Sequence, residues 1–233
     1  MKKKLYWLII RVSRSSALAR TIIDYAAYFY YKIFRKNKFF VWKKRKYKYF
    51  YHLYNRTVSS ERVVEIPIAT EFYRSYDPKE ILEVGNVLFH YGFKGHDVID
   101  KYEKGENVQN ADIASIKLKK KYSGIVSVST MEHVGYSYGE KKESPKFAKG
   151  VKNVLTFLKP KGKFLMTVPI FYNPAVSNAI INNRMPFQEE YFFVRTSFAN
   201  DWKQVKKDRA TKSATYDTHF ANSNSLYIGV YTK

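Results

Sequence analysis

Residues 81–89 read Ile-Leu-Glu-Val-Gly-Asn-Val-Leu-Phe, and this stretch decides the fold prediction. Its apolar start predicts a short buried strand, which carries an acid at Glu83 and is followed at once by Gly85. A strand that ends in an acid and a glycine is typical of the first turn of nucleotide-binding α/β domains. Such turns usually carry more glycines, whereas Asn86 and three apolar residues follow here. The stretch therefore predicts a nucleotide-binding type of sheet with a modified first turn.

Further apolar runs downstream alternate with a helical segment, which predicts an α/β fold with a doubly wound, mostly parallel sheet. Helical spacing of apolar residues predicts a helix over residues 146–158, which we expect Pro160 and Gly162 to end. Residues 63–68 read as a strand-like lead-in. The predicted strands are 81–84, 97–100, 124–129 and 163–168, followed by 191–196 and 226–231, which we expect to pair antiparallel.

The early connections between strands are short. Gly85 and Asp100 are 15 positions apart, and Asp100 and Asp112 are 12 positions apart. A crossover with its own helix usually takes at least about 10–12 residues in addition to the strand it precedes. We therefore expect shortened early crossovers, with the first helix reduced to a turn or absent.

The chain has 233 residues and a net charge of +22, and the charge is concentrated near the N-terminus. Residues 1–51 contain fifteen Lys and Arg residues and a single acid, Asp24, which gives this segment a charge of +14. Residues 16–34 predict a helix that Ser15 or Ser16 caps, with an apolar stripe on one face. We place an N-terminal helical extension, basic and rich in aromatic residues, at 1–60 and the α/β domain at 61–233.

Three alternatives for this extension stay open. The first is peripheral attachment to an anionic membrane, since interleaved Lys, Arg, Trp and Tyr residues suit a lipid headgroup region. The second, nucleic-acid binding, is disfavoured because the basic residues are confined to one segment. In the third, the helix packs its apolar face on the main domain and leaves its lysines in solvent. We expect a cytoplasmic protein, which under the first alternative lies at the inner membrane face through residues 1–55.

Several classes of site are excluded by what the sequence lacks. There is no cysteine, which excludes disulfides, thiolate metal sites and cysteine nucleophiles. There is no Gly-x-x-x-x-Gly-Lys-Ser/Thr phosphate loop and no Gly-x-Ser-x-Gly elbow. Because His90, His96 and His219 have no metal-ligand spacing with nearby acids, we expect no metal.

The order of motifs resembles one protein family over about residues 79–233. Ser129-Thr130-Met131-Glu132-His133-Val134 follows one predicted strand, and Leu158–Pro169 reads Leu-Lys-Pro-Lys-Gly-Lys-Phe-Leu-Met-Thr-Val-Pro. Together with the Glu-x-Gly turn, these stretches resemble the class I S-adenosylmethionine-dependent methyltransferases. The stretches 83–88 and 98–103 are similar to those of a glycan-linked subgroup of that family.

The resemblance implies a role for each matching position around S-adenosylmethionine. Glu83 and Gly85 would lie at the carboxyl end of the first strand, where ligands of open α/β sheets bind, although Glu83 alternatively caps a neighbouring loop. Gly85 would let the backbone approach the methionine part of the cofactor. Asp100 would accept hydrogen bonds from the ribose hydroxyls, because a carboxylate offers two acceptor oxygens. Asp112 would face the adenine amino group, or else belong to an ordinary turn.

The later motif implies the rest of the pocket. Ser129 and Thr130 would line the cofactor site at the end of their strand. His133 would act as catalytic base toward a substrate hydroxyl, since the pKa of a free imidazole lies near neutrality. A structural histidine bonded to a backbone carbonyl is the alternative. Glu132 would either take part in this chemistry or cap the segment that follows.

Two functions follow from these residues. The first is methyl transfer from S-adenosylmethionine to a small-molecule or glycan acceptor. The second is a non-catalytic domain of the same fold that serves as a membrane-associated binding or scaffolding protein. An open cleft above Gly85 with Asp100 on its rim favours the enzyme. A cleft filled by Phe89, His90 and Tyr91 favours the non-catalytic protein.

Overall fold

A computed structural model describes residues 2–105, 107–136 and 142–233, so Met1 of the predicted extension lies outside the described residues. The N-terminal part consists of two helices, a small antiparallel hairpin and a third helix. These elements are α1 (Lys2–Ser15), α2 (Ala17–Phe34), β1 (Phe39–Trp42), β2 (Arg45–Lys48), a 3₁₀ turn over Tyr54–Ser59 and α3 (Arg62–Tyr73).

The remaining strands all belong to one sheet. They are β3 (Ile81–Val84), β4 (Asp97–Asp100), β5 (Val108–Asn110), β6 (Tyr122–Val128), β7 (Leu158–Pro169), β8 (Glu189–Arg195), β9 (Trp202–Val205) and β10 (Ser225–Thr232). The helices between them are α4 (Ser144–Thr156), α5 (Pro174–Ile181) and α6 (Lys207–Ser213), with 3₁₀ turns over Pro78–Glu80, Leu88–Tyr91 and Met131–His133.

The strand order across this eight-stranded sheet is β5-β4-β3-β6-β7-β10-β8-β9. The strands from β5 to β7 pair in parallel, and β10 pairs antiparallel with both β7 and β8. The mostly parallel sheet and the antiparallel pairing of β8 with β10 confirm the predicted fold class. The chain moves outward from β3 to β5 and then returns to the other side of β3 at β6. This reversal makes a crevice at the carboxyl ends of β3 and β6, where ligands of such sheets bind.

The sheet is covered by apolar side chains on both faces. Leu82 and Ile125 belong to one buried cluster together with residues of α4 and α5, whereas Ile81 and Val126 belong to a second cluster with residues of α3 and the β1–β2 hairpin. Neighbouring strand residues point to opposite faces, which explains this division. An apolar core on each face of the sheet is the arrangement of a doubly wound domain.

The early crossovers are as short as the spacing predicts. Between β3 and β4 the chain forms only the 3₁₀ turn Leu88–Tyr91, and the described residues between β4 and β5 contain no helix. The carboxylate of Glu83 holds the start of this turn, because its Oε1 accepts hydrogen bonds from the backbone N–H groups of Val87 (2.9 Å) and Leu88 (2.7 Å). In place of a crossover helix, the buried carboxylate of Glu83 therefore fixes the backbone that follows β3.

The prediction of a strand-like lead-in at residues 63–68 is wrong, because these residues lie in helix α3. Its β-branched run favours a strand locally, but α3 is buried on nearly all sides, so tertiary packing outweighs this preference. Pro67 removes the N–H that would bond the carbonyl of Val63. That carbonyl accepts instead from the backbone N–H of Phe50, at 3.1 Å. The chain before the helix thus compensates for the proline.

The end of helix α4 also differs from the prediction. The helix ends at Thr156, and strand β7 begins at Leu158, so Pro160 and Gly162 lie inside the strand. The register between β6 and β7 shifts between Tyr122 and Gly124, which accommodates the extra residues. A proline is tolerated where the ladder is irregular.

The predicted helix over residues 16–34 is confirmed as α2, and the Oγ of Ser16 accepts from the backbone N–H of Ala19 at 3.0 Å. The extension is not helical throughout, since residues 39–48 form the hairpin, whose Phe40 and Trp42 are buried in the second apolar cluster. The division at residue 60 stays a prediction. Among the described helices, none is long and apolar enough to cross a membrane.

Candidate functional site

A cavity of about 540 Å³ lies at the carboxyl ends of β3, β4 and β6, where the strand order reverses. Its volume is within the usual range for a small-molecule site. Six of the seven predicted site residues line it, namely Gly85, Asp100, Asp112, Ser129, Thr130 and His133.

Gly85 shapes the floor of this cavity. Its φ of +90° is a left-handed conformation that side chains with a Cβ adopt only with strain. A Cβ at this position would lie 2.1 Å from the Oγ1 of Thr130, which is far inside contact distance. The room that Gly85 leaves is therefore occupied by Thr130, and the glycine brings the ends of β3 and β6 together.

Glu83 lies behind the cavity and does not line it. The residue is fully buried, and its Oε2 lies 2.8 Å from the Nε2 of His96. Its other oxygen accepts from the N–H groups of Val87 and Leu88 described above. The structure thus places Glu83 as the cap of the turn, which was the alternative to a ligand contact.

Asp100 lies on the rim, at the end of β4. Its Oδ1 accepts from the backbone N–H groups of Tyr102 (2.8 Å) and Glu103 (2.7 Å), and its Oδ2 accepts from that of Asn86 (3.1 Å). A carboxylate offers about four acceptor positions. Oδ2 can therefore accept one further hydrogen bond, and the three backbone amides fix the orientation of the carboxylate.

Asp112, two residues after strand β5, lines the cavity as Asp100 does. Its Oδ1 accepts from the backbone N–H of Ala114 at 2.9 Å, and its Oδ2 lies 2.8 Å from the Nζ of Lys146 on helix α4. Burial acts to raise the pKa of Asp112, but the hydrogen bonds from Lys146 and Ala114 outweigh it and hold the pKa below its ordinary value. Asp112 is therefore ionised at neutral pH.

Ser129 and Thr130 follow strand β6 directly. Ser129 has a φ of +41°, which is unusual for a residue with a side chain and frequent at functional sites. Its Oγ donates to the Oε1 of Glu65 on helix α3 at 2.8 Å, and its backbone N–H donates to the carbonyl of Thr167. The Oγ1 of Thr130 donates to the carbonyl of Val128 at 3.1 Å.

His133, the last residue of the 3₁₀ turn Met131–His133, also lines the cavity. Its side chain is about half exposed (46%), its Nδ1 lies 3.1 Å from the hydroxyl of Tyr172, and its Nε2 lies 3.9 Å from the Oε1 of Glu132. Partial burial, together with the nearby cation of Arg62, lowers the pKa of His133. The imidazole is therefore neutral at pH 7, the form that accepts a proton.

Sequence reasoning missed a buried charged group at the start of helix α3. Glu61, Arg62 and Glu65 lie at the start of α3 and are buried, and Arg62 lines the cavity. Burial raises the pKa of Glu65 to about 7, and it also raises the pKa values of Glu61 and Glu132. The signal in the sequence was three charged residues inside an otherwise apolar run.

Phe89, His90 and Tyr91 do not fill the cavity. The ring of His90 stacks on that of Tyr54 with centroids 4.1 Å apart, and the ring of Tyr91 contacts those of Phe50 and Tyr54 edge to face. Phe89 and His90 border a separate small pocket beside Glu103. The cleft above Gly85 is open, which is the arrangement that favours a ligand site.

No protein-family model matches the chain, and no curated protein matches it. Solved structures of similar fold include the N-methyltransferase NodS from Bradyrhizobium japonicum WM9 in complex with S-adenosyl-L-homocysteine. It shows 11% identity and a TM-score of 0.47, over 74% of this chain and 87% of that chain. An S-adenosylmethionine-dependent methyltransferase from Clostridium acetobutylicum ATCC 824 shows 12% identity and a TM-score of 0.38, over 88% and 98%. Likeness at this level assigns no residue role in this chain.

Proposed function

We propose that the chain is an S-adenosylmethionine-dependent methyltransferase that acts on a small-molecule or glycan acceptor at a membrane surface. One observation carries the proposal. An open cavity at the reversal of strand order brings together Gly85, Asp100, Asp112 and Thr130 from four separate segments. The sequence resemblance assigns the same residues to one cofactor. The glycan acceptor rests on the resemblance to the glycan-linked subgroup.

The chemistry of the lining residues fits this cofactor. Asp100 has one acceptor position left for a ribose hydroxyl, and Asp112 is an ionised acceptor for the adenine amino group. Arg62 lines the cavity as a cation, and its guanidinium would attract the carboxylate of the methionine part. When bound, S-adenosylmethionine supplies an electrophilic methyl group.

The chain's own contribution is alignment and proton transfer. The amides that fix Asp100 and the turn that Glu83 caps hold the cofactor half of the cavity in one geometry, which is the main requirement for an in-line transfer. The neutral imidazole of His133 would take the proton of an acceptor hydroxyl. The hydroxyl of Tyr172 orients its ring through Nδ1.

The membrane part of the proposal rests on the surface of α1 and α2. The apolar stripe predicted for α2 is exposed: Leu18 at 72%, Ile22 at 60%, Phe29 at 56% and Ile33 at 60%. This exposure argues against the alternative in which the face packs on the main domain. Exposed apolar side chains beside many Lys and Arg residues suit the interface of an anionic membrane.

Calorimetric titration of the full-length protein with S-adenosylhomocysteine tests the cofactor site. We expect binding, and we expect Asp100→Asn to weaken it about tenfold to a hundredfold, because a hydrogen bond to a charged group is lost. Asp97→Asn, at the other end of β4, is the matched control, since that carboxylate pairs with Lys120 on the surface. Absence of binding at millimolar ligand would exclude the enzyme and leave the non-catalytic protein.

A further inference from the structure

Lys146 on helix α4 brings a cation into the cavity beside Asp112. Both residues line the cavity, and the Nζ of Lys146 lies 2.8 Å from the Oδ2 of Asp112. The two side chains keep 22% and 24% of their surface exposed. The cation and the anion therefore reach the ligand space together, as one pair.

Stability alone does not explain a lysine at this position. Lys146 lies in the first turn of α4, where the positive end of the helix dipole disfavours a cation. A partly exposed ion pair such as Lys146–Asp112 adds little stability, because solvent screens the two charges. A role in ligand binding accounts for the lysine better than a role in folding does.

The pair offers a hydrogen-bond acceptor and a donor side by side. The backbone N–H of Ala114 holds the Oδ1 of Asp112 at 2.9 Å, and a carboxylate has about four acceptor positions, so capacity for a ligand remains. The hydrogen bond to Asp112 raises the pKa of Lys146, which keeps its side chain protonated at neutral pH. An ammonium group has three N–H donors, and the bond to Asp112 uses one of them. The pair can therefore accept one hydrogen bond from a ligand and donate another to an adjacent ligand atom.

Apolar side chains lie next to this polar pair. Ile113, which directly follows Asp112, and Val134 both line the cavity. They meet at Gly150, one turn along α4 from Lys146, where an added Cβ would lie 3.6 Å from the Cγ2 of Ile113 and 3.3 Å from the Cγ1 of Val134. A donor and an acceptor beside apolar walls suit a planar heterocycle, whose faces are apolar and whose edge is polar.

Adenine is the part of the proposed cofactor that matches this arrangement, because its N6 amino donor stands beside its N1 acceptor on one edge of the ring. We propose that Lys146 donates a hydrogen bond to N1 while Asp112 accepts from the N6 amino group, so that the pair selects adenine among purines. A 6-oxopurine carries an acceptor at position 6 and an N–H at position 1, so both of its groups would meet the wrong partner. The inference rests on the proposed methyltransferase function and adds a specificity-determining residue to it.

Calorimetric titration of the full-length protein with two isomeric analogues of S-adenosylhomocysteine tests the inference. In the 1-deaza analogue a C–H group replaces N1, and in the 3-deaza analogue a C–H group replaces N3, which lies away from the N1–N6 edge. We expect the 1-deaza analogue to bind at least about tenfold more weakly than the 3-deaza analogue, because only the former loses a hydrogen bond to a charged group. Equal affinity of the two analogues for the wild type would overturn the inference.

A variant assigns the effect to the lysine. Lys146→Met removes the donor and keeps most of the side-chain length, so it should bind the two analogues equally. Lys149→Met, on an exposed position of the same helix, is the matched control and should keep the wild-type difference. A difference that persists in Lys146→Met would overturn the role of Lys146.

The design keeps this inference apart from the proposed function. Binding of S-adenosylhomocysteine by the wild type, together with equal affinities for the two analogues, overturns only the role of Lys146. Absence of S-adenosylhomocysteine binding overturns the methyltransferase and the inference with it. The comparison of the analogues in the wild type needs no variant, so it decides the matter even if Lys146→Met does not fold.

Discussion

At the scale of single residues, Gly85 is the position on which the cavity depends most. Replacing it by alanine forces a Cβ onto a backbone with φ of +90° and into the Oγ1 of Thr130. The conformation alone costs about 1–2 kcal/mol, and the clash moves Thr130 or the turn in addition. We expect Gly85→Ala to lower the free energy of unfolding, measured with urea, and to abolish binding of S-adenosylhomocysteine.

Gly92→Ala is the control for this prediction. Gly92 has the same φ of +90°, but a Cβ there meets no atom within 4 Å. It therefore shares the backbone strain without the clash. Equal losses of stability in the two variants, or normal cofactor binding by Gly85→Ala, would show that the contact with Thr130 does not shape the site.

The residues that line the cavity differ in how far the sequence reveals them. Asp100, Ser129 and Thr130 follow apolar runs, and the carboxyl ends of neighbouring parallel strands meet at one edge of the sheet, so their proximity is predictable. Arg62 and Glu65 lie upstream of the first sheet strand, in a run that looks extended. Only the packing of helix α3 brings Arg62 to the cavity and places Glu65 against the Oγ of Ser129.

At the scale of elements, a short 3₁₀ turn connects β3 to β4 where a crossover helix would be expected. Glu83 stabilises this turn, because its carboxylate accepts hydrogen bonds from two backbone amides and contacts His96. We expect Glu83→Gln to lower the free energy of unfolding by about 2 kcal/mol, because an amide oxygen is a weaker acceptor than a carboxylate. Hydrogen exchange of the Val87 and Leu88 amides should accelerate in this variant.

Glu80→Gln is the matched control, since Glu80 precedes the same strand, faces solvent and pairs with Lys159. We expect little change in its stability and no change in exchange at Val87. Unchanged exchange in Glu83→Gln would mean that the 3₁₀ turn holds without its buried acid. The short spacing in the sequence predicts the loss of the helix, but not the residue that compensates for it.

The start of helix α3 gives stability a defined dependence on pH. Burial and the neighbouring Glu61 raise the pKa of Glu65 from 4.5 to about 7. Between these values the folded protein keeps a proton that the unfolded chain releases, so the contribution to stability falls as pH rises from 4.5 and levels off above about 7. We expect Glu65→Gln to make urea-unfolding stability fall less steeply over this range.

Two further comparisons make the pH prediction specific. Glu61 and Glu132 also have raised pKa values, so part of the wild-type slope remains in Glu65→Gln. Glu71→Gln, which removes an exposed carboxylate paired with Arg45, should keep the full wild-type slope. Parallel curves for wild type and Glu65→Gln would contradict a raised pKa at Glu65.

At the scale of the whole molecule, charge and apolar surface coincide in the first 51 residues. This segment carries +14 of the net +22, and its helices leave Leu18, Ile22 and Ile33 exposed. Two copies of this segment repel each other because both are strongly positive. Self-association is therefore a less favourable way to bury the exposed apolar face of α2 than contact with an anionic bilayer. A nucleic acid would satisfy the charge but not the aliphatic side chains.

The extension also belongs to the fold, which determines how it must be tested. Phe40 and Trp42 are buried in the second apolar cluster, and the guanidinium of Arg56 pairs with Asp24 of α2 at 3.0 Å. Removing residues 1–55 would therefore damage the core as well as any membrane surface. Point variants on the exposed face of α2 separate the two effects.

We therefore expect Ile22→Glu to weaken binding to phosphatidylglycerol-rich vesicles about tenfold in co-sedimentation, because it removes one buried aliphatic side chain from the bilayer interface. Ile181→Glu is the matched control, since Ile181 is an exposed isoleucine (42%) at the end of α5. Binding should fall with added salt and be weak to phosphatidylcholine vesicles, because attraction between exposed charges is screened. Equal binding by Ile22→Glu and Ile181→Glu would mean that the apolar stripe on α2 does not contact the membrane. The basic residues would then be the sole basis for binding, and another polyanion would serve equally well as their partner.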